Sequence, residues 1–191
     1  MDLSGIYSGW VNLIKEELSK GKKWIICLFT TYVLFLCLGI YIGSQVGISE
    51  KVNLDPKVVE FSHIFLSNSK FGITQILIGI ATLSVYAIYS LAFNAMVIGA
   101  TLQLLYMKSA MYLIYKILFH GVIEISALVI GTFVTIKCVR YIFSNIKKVF
   151  SKKITILDSI KNIFKFMLSF MVLIVIMYFV AACIETLLSY T

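Results

Sequence analysis

The sequence predicts an all-α polytopic membrane protein, with five transmembrane helices and amphipathic interfacial helices beside them. Three observations lead there. Of 191 residues, 60% are hydrophobic and 14% charged, against about 45–50% and about 25% in a soluble domain. The apolar residues gather in runs long enough to cross the roughly 30 Å hydrocarbon core of a bilayer. Proline occurs once, so little interrupts those runs as helices. The length suits one compact bundle and leaves no room for a second globular domain.

Residues 1–23 read as a cytoplasmic amphipathic helix ahead of a single membrane domain, 24–191. Ile6, Trp10, Leu13, Ile14 and Leu18 recur at helical spacing opposite Lys15, Glu16 and Lys20. A helix of this kind lies in the membrane interface. Gly21 and the pair Lys22-Lys23 are expected to end it. The first span, about 24–43, holds no charge. With no A-x-A site behind it, it reads as a retained span and not a cleaved signal. Asp55-Pro56 is a good helix start, and Val58, Phe61, Ile64 and Phe65 make an apolar stripe after it. The expectation is an outer interfacial helix over 56–67, with His63 on its wet side.

Residues 72–107 carry no charge. At about 1.5 Å per residue the run is too long for one crossing. A single crossing would put the later basic segment opposite Lys15, Lys20, Lys22 and Lys23. Two crossings put both basic groups on one side, as the positive-inside bias requires. The expected spans are therefore about 72–90 and 93–107, with a tight turn near residues 90–94. Span four covers about 111–136, an inner basic amphipathic segment fills 137–165, and span five covers about 166–189. Of 17 basic residues, twelve then lie inside. Lys51, Lys57, Lys70, Lys108 and Lys116 lie outside. The implied location is a bacterial cell membrane, with the N-terminus cytoplasmic and the C-terminus extracytoplasmic.

The net charge of +8 is accounted for by this flanking pattern. No stacking or basic-groove motif accompanies it, so nucleic acid is not an expected partner. Cys27, Cys37, Cys138 and Cys183 are widely spaced in or beside apolar runs, with no C-x-x-C, and read as small apolar residues. No G-x-x-x-x-G-K-[ST] loop is present. If an ATPase drives this protein, it is expected to be a separate chain.

Ionisable groups at membrane depth are costly and seldom face lipid. His120 and Glu124 are four residues apart and share a helix face. Counted from the outer ends of the spans, Gln75, Gln103, His120, Glu124 and Glu185 come to comparable depths, with Asn68 just above. Asn94 is expected near the inner face. The group reads in two ways. As structure, polar side chains hold helices together, at about 0.6 kcal/mol each on average. As chemistry, His120, Glu124 and Glu185 supply a nitrogen and two carboxylates, enough for three zinc ligands and an open fourth position. Zinc-bound water would then be a hydrolytic nucleophile. A proton relay or recognition of a charged peptide terminus are further uses of the same group.

Several residues together resemble the stage II sporulation protein M family. They are Phe61-x-x-Ile64-Phe65-x-x-Asn68, Gly79, Asn94, Gly99, His120-Gly121-x-x-Glu124, Gly131 and Glu185. The resemblance covers about residues 24–190. It implies an all-helical integral membrane protein. The founding member works in engulfment during endospore formation, with peptidoglycan-degrading partners. Relatives accompany ABC-type ATPases in the maturation and export of circular bacteriocins. The pair His120 and Glu124 places this chain nearer those relatives than the sporulation protein itself. The resemblance thus implies a membrane component acting with an ABC-type ATPase in maturation, export or immunity of a bacteriocin peptide. An intramembrane metal-dependent peptidase or cyclase using His120, Glu124 and Glu185 is the alternative, and an engulfment component the second. Expected partners are the lipid bilayer, a separate ATPase or other membrane proteins, and a peptide substrate. Self-association into a homo-oligomer stays open.

Overall fold

The computed structural model describes residues 3–45, 60–107, 110–151 and 155–189. They form α1 (Leu3–Gln45), α2 (Phe61–Ala81), α3 (Val85–Met107), α4 (Met111–Phe150) and α5 (Ile156–Ser189). All five helices are long and apolar enough to cross a membrane, as the composition implies. Their borders depart from the expected ones in four places, each with a physical cause.

First, α1 runs unbroken through Gly21. A Cβ there would lie 2.2 Å from the Phe133 ring, so the glycine admits α4 to close packing and stops nothing. The first half of α1 crosses the ends of α4 and α5. Trp10 Nε1 donates to the Ser169 carbonyl at 3.2 Å. Glu17 accepts from both Lys137 and Tyr141. Arg140 sits 5.5 Å from the centre of the Trp24 ring. Glu17 and Trp24 are about 10 Å apart along α1, while their partners on α4, Lys137, Tyr141 and Arg140, fall within about one turn. The crossing is therefore oblique.

Second, the interfacial helix expected over 56–67 is not a separate element. Its start at Asp55-Pro56 lies outside the described residues, and residues 61–67 form the opening turns of α2. Phe61 and Phe65 meet the Phe179 ring edge-on, at 5.4 and 5.6 Å. The apolar stripe thus packs on α5 instead of resting on lipid. His63 is exposed, as expected. Lys70, expected in the loop, sits inside α2 with its side chain exposed. A lysine's long stem can carry its charge toward the membrane surface from there.

Third, the chain reverses between α2 and α3 at Thr82–Ser84, not at 90–94. Leu83 and Ser84 adopt left-handed backbone, with φ of 52° and 76°. The Ser84 N–H donates to the Gly79 carbonyl at 2.6 Å, and the Thr82 N–H to the Ile78 carbonyl at 2.9 Å. The last carbonyls of α2 are satisfied by this wrap. The helices it separates are about 32 and 35 Å long, close to the hydrocarbon thickness.

Fourth, the inner segment 137–165 is not independent of the spans. α4 continues to Phe150, and α5 starts at Ile156. Thr155 caps α5: its Oγ1 accepts from the Asp158 N–H at 3.1 Å and donates to the Asp158 carboxylate at 2.6 Å. Thr135 packs at Gly79, near the end of α2. About 22 Å of α4 therefore projects past that level.

In cross-section α1 packs chiefly on α3, α4 on α5, and α2 against both α4 and α5. Gly39 and Gly99 let the first pair touch backbone to backbone. A Cβ at Gly39 would sit 2.2 Å from the Met96 carbonyl oxygen, and one at Gly99 2.2 Å from that of Leu36. Phe133, Phe170, Ile76, Leu91 and Ile174 are the largest fully buried apolar side chains.

Candidate functional site

The polar group at the end opposite the 137–153 basic segment is assembled from α2, α4 and α5. Each long helix holds its polar residue on an inward face, flanked by apolar residues that set its rotation. Asn68 of α2 donates its side-chain N–H to the Glu124 carboxylate of α4. One turn along α4, His120 Nε2 stands 3.8 Å from the Glu185 carboxylate of α5. Glu124 and Glu185 also feel each other's charge. Tyr32 of α1 and Tyr178 of α5, both buried, lie within electrostatic reach of Glu124. His120 Nδ1 is buried without a hydrogen-bond partner among the described residues. Beside it, a Cβ on Gly121 would meet nothing within 4 Å.

Of the seven polar residues singled out from the sequence, the structure thus brings four together: Asn68, His120, Glu124 and Glu185. The other three lie elsewhere. Gln75 is fully buried two turns along α2 from Asn68, where its Nε2 donates to Thr132 Oγ1 at 2.8 Å and to the Leu128 carbonyl at 3.4 Å. Its Oε1 lies 2.9 Å from where a Cβ on Gly131 would stand, so the glycine makes room for the carboxamide. Asn94 accepts from the Tyr32 hydroxyl at 3.3 Å. Because the reversal falls at 82–84, Asn94 sits mid-helix in α3 and not near the inner face. Gln103 is half-buried at the α1–α3 seam, its Cβ 3.1 Å from a Cβ position on Gly43.

Among the described residues, no three His, Cys, Asp or Glu side chains are placed to hold a metal ion together. His120 faces Glu185, and Glu124 is taken by Asn68. Chemically the arrangement links three helices through one amide–carboxylate bond and one imidazole–carboxylate pair.

A second polar site was not anticipated. Glu17 of α1 sits between Lys137 and Tyr141 of α4, and the Lys137 ammonium lies 5.5 Å from the Phe133 ring centre. One sequence signal could have found it. Glu17 falls on the apolar stripe Trp10, Leu13, Ile14, Leu18, three residues after Ile14 and four before Gly21. An acid on a buried face requires a cation opposite.

Fold and site together define an integral, all-helical membrane protein whose charged side chains at depth are paired between helices. Residues 25–190 match the family model for stage II sporulation protein M, and the chain belongs to that family. No curated protein and no solved structure matches it.

Proposed function

We propose that the chain is the membrane-embedded subunit of a multi-protein envelope system, engaged on its basic, cytoplasmic side by a separate ABC-type ATPase. The system serves maturation, export or immunity of a peptide, a circular bacteriocin by family resemblance. One observation carries the assembly reading: α4 and α5 project past the end of α2 and leave large apolar side chains there uncovered, Phe150 at 85% exposure among them. Exposed apolar surface rimmed by polar residues marks a protein or membrane contact. The absence of a phosphate-binding loop from the sequence supports a separate energy source.

The test is purification of the tagged full chain from its own membranes in mild detergent. A near-stoichiometric ATP-binding subunit is expected, together with loss of peptide export or immunity when the chain is deleted. A chain that purifies alone from membranes containing the ATPase contradicts the reading. A deletion that blocks engulfment and spares peptide export supports the sporulation role instead.

A further inference from the structure

The charged side chains at the lysine-rich end sort into those with partners inside the chain and those without. Glu16 pairs with Lys20, Glu17 takes Lys137 and Tyr141, and Asp158 is held by Thr155 in the cap of α5. Every acid described within 3–23 and 137–165 is thus engaged. Lys148 and Lys165 are in no ion pair among the described residues. Both line one cavity of about 350 Å³ between α1, α4 and α5, within the range of about 300–1,000 Å³ usual for ligand sites.

A repeated pattern builds this cavity. Asn145-Ile-x-Lys148 on α4 and Asn162-Ile-x-Lys165 on α5 have the same spacing, so in each the carboxamide and the ammonium share a helix face. Counted from the facing helix ends at Phe150 and Ile156, Asn145 and Asn162 come to about the same level. Lys148 lies nearer the turn and Lys165 further in. Ser144 extends the α4 wall. Glu17 is the single acid in the lining, and Lys137 already neutralises it. Two ammoniums without a counter-charge, two carboxamides and a hydroxyl therefore line one space. Lysine binds phosphate as a point charge from any direction, whereas a carboxylate is met best by the planar fork of arginine. No arginine lines this cavity. The neighbouring cavity, which holds Arg140, makes the contrast. Its lysines, Lys20 and Lys137, are paired with Glu16 and Glu17, and Arg140 lies against the Trp24 ring.

We propose that Lys148 and Lys165, with Asn145 and Asn162, form a binding site for an anionic phosphate group, carried by a lipid headgroup or by a soluble phosphate. The site stands on this cavity alone and does not need the ATPase reading.

The test uses the purified full chain in neutral detergent, titrated in separate arms with phosphatidylglycerol, phosphatidylcholine, ATP and inorganic phosphate. Native mass spectrometry reads the lipid arms and titration calorimetry the soluble ones. Phosphatidylglycerol or a soluble phosphate should bind, and the paired change Lys148→Gln with Lys165→Gln should weaken that binding at least about tenfold. The control pair, Lys15→Gln with Lys161→Gln, removes the same charge from lysines of the same end that do not line the cavity, and should leave affinity nearly unchanged. All four side chains are exposed, so the variants should keep the fold, which an unchanged unfolding midpoint without ligand checks. A loss confined to the phosphatidylglycerol arm identifies a lipid headgroup. A loss in the ATP or phosphate arm identifies a soluble ligand. No binding in any arm, indifference to the Lys148 and Lys165 changes, or equal loss in the control pair overturns the proposal. So does equal binding of the two lipids with no soluble ligand bound, because net charge is then not what the site reads. An oligo-glutamate peptide that binds more tightly than every phosphate ligand also overturns it, because the cavity is then a carboxylate site.

Discussion

Asn68 on α2 donates a hydrogen bond to the Glu124 carboxylate on α4, and this bond joins two helices that are separated in sequence by the whole of α3. Among the described residues no other side chain donates a hydrogen bond to Glu124, so Asn68 bears its orientation. Removing the amide leaves a largely buried carboxylate short of a partner, at a cost of about 1–3 kcal/mol. Asn68→Ala and Glu124→Ala should each lower thermal stability in detergent. The double variant should lose less than their sum, because each single change already breaks the same bond. Additive losses would mean that the two side chains do not depend on each other.

The pairing also sets an expectation for metal content. His120 faces Glu185 at 3.8 Å while Glu124 faces Asn68, so the three candidate ligands point to two different partners. Elemental analysis of the purified chain should find zinc well below one per molecule, unchanged in Glu185→Gln. Stoichiometric zinc that Glu185→Gln removes would favour the peptidase or cyclase reading.

Two glycines should respond in opposite directions to alanine. At Gly99 the new Cβ would lie 2.2 Å from the Leu36 carbonyl oxygen, an atom of rigid helix backbone. Gly99→Ala must push α1 off α3, costing about 1–3 kcal/mol as overpacking does. At Gly121 nothing lies within 4 Å, and alanine gains up to about 1 kcal/mol of helix propensity over glycine. Thermal unfolding of the two variants checks this; a loss at Gly121 of the size found at Gly99 would show that the space there is used.

Hydropathy and charge bias made the number of helices legible, because span-length apolar runs and lysine clusters are properties of composition. The α2–α3 reversal was not legible, since Thr82, Leu83 and Ser84 include neither glycine nor proline and lie inside a charge-free run. Helix ends at Gly21 and residue 137 were misread for a related reason. Polar residues there mark leaving the hydrocarbon, which does not require leaving the helix. For the site, counting residues from the span ends set the depth of His120, Glu124 and Glu185 but not the rotation of each helix. Rotation decides that Asn68 reaches Glu124 while Gln103 turns to Gly43.

The reversal is strained, and the strain can be relieved. Leu83 holds a φ of 52° and is 60% exposed, so its side chain contributes little packing in return. A left-handed backbone costs an ordinary residue roughly 1–2 kcal/mol, and glycine almost none. Leu83→Gly should therefore raise stability by about 1 kcal/mol, seen as a higher unfolding midpoint. A fall would show that Leu83 is covered by lipid or a partner, its exposed side chain being a contact.

The orientation behind the proposed function can be tested directly. Lys148 lies on the projecting end of α4, and Glu60 precedes the opposite end of α2; both are exposed. If the lysine-rich end is cytoplasmic, a cysteine at Lys148 should resist a membrane-impermeant thiol reagent on intact cells and react after lysis. A cysteine at Glu60 should react on intact cells. The background must lack Cys27, Cys37, Cys138 and Cys183. Of these, Cys138 is fully buried, in contact range of the α4–α5 core, and should be replaced by alanine to preserve packing. The reverse labelling pattern would place the lysine-rich end outside the cell, beyond the reach of a cytoplasmic ATPase, and would remove the proposed function.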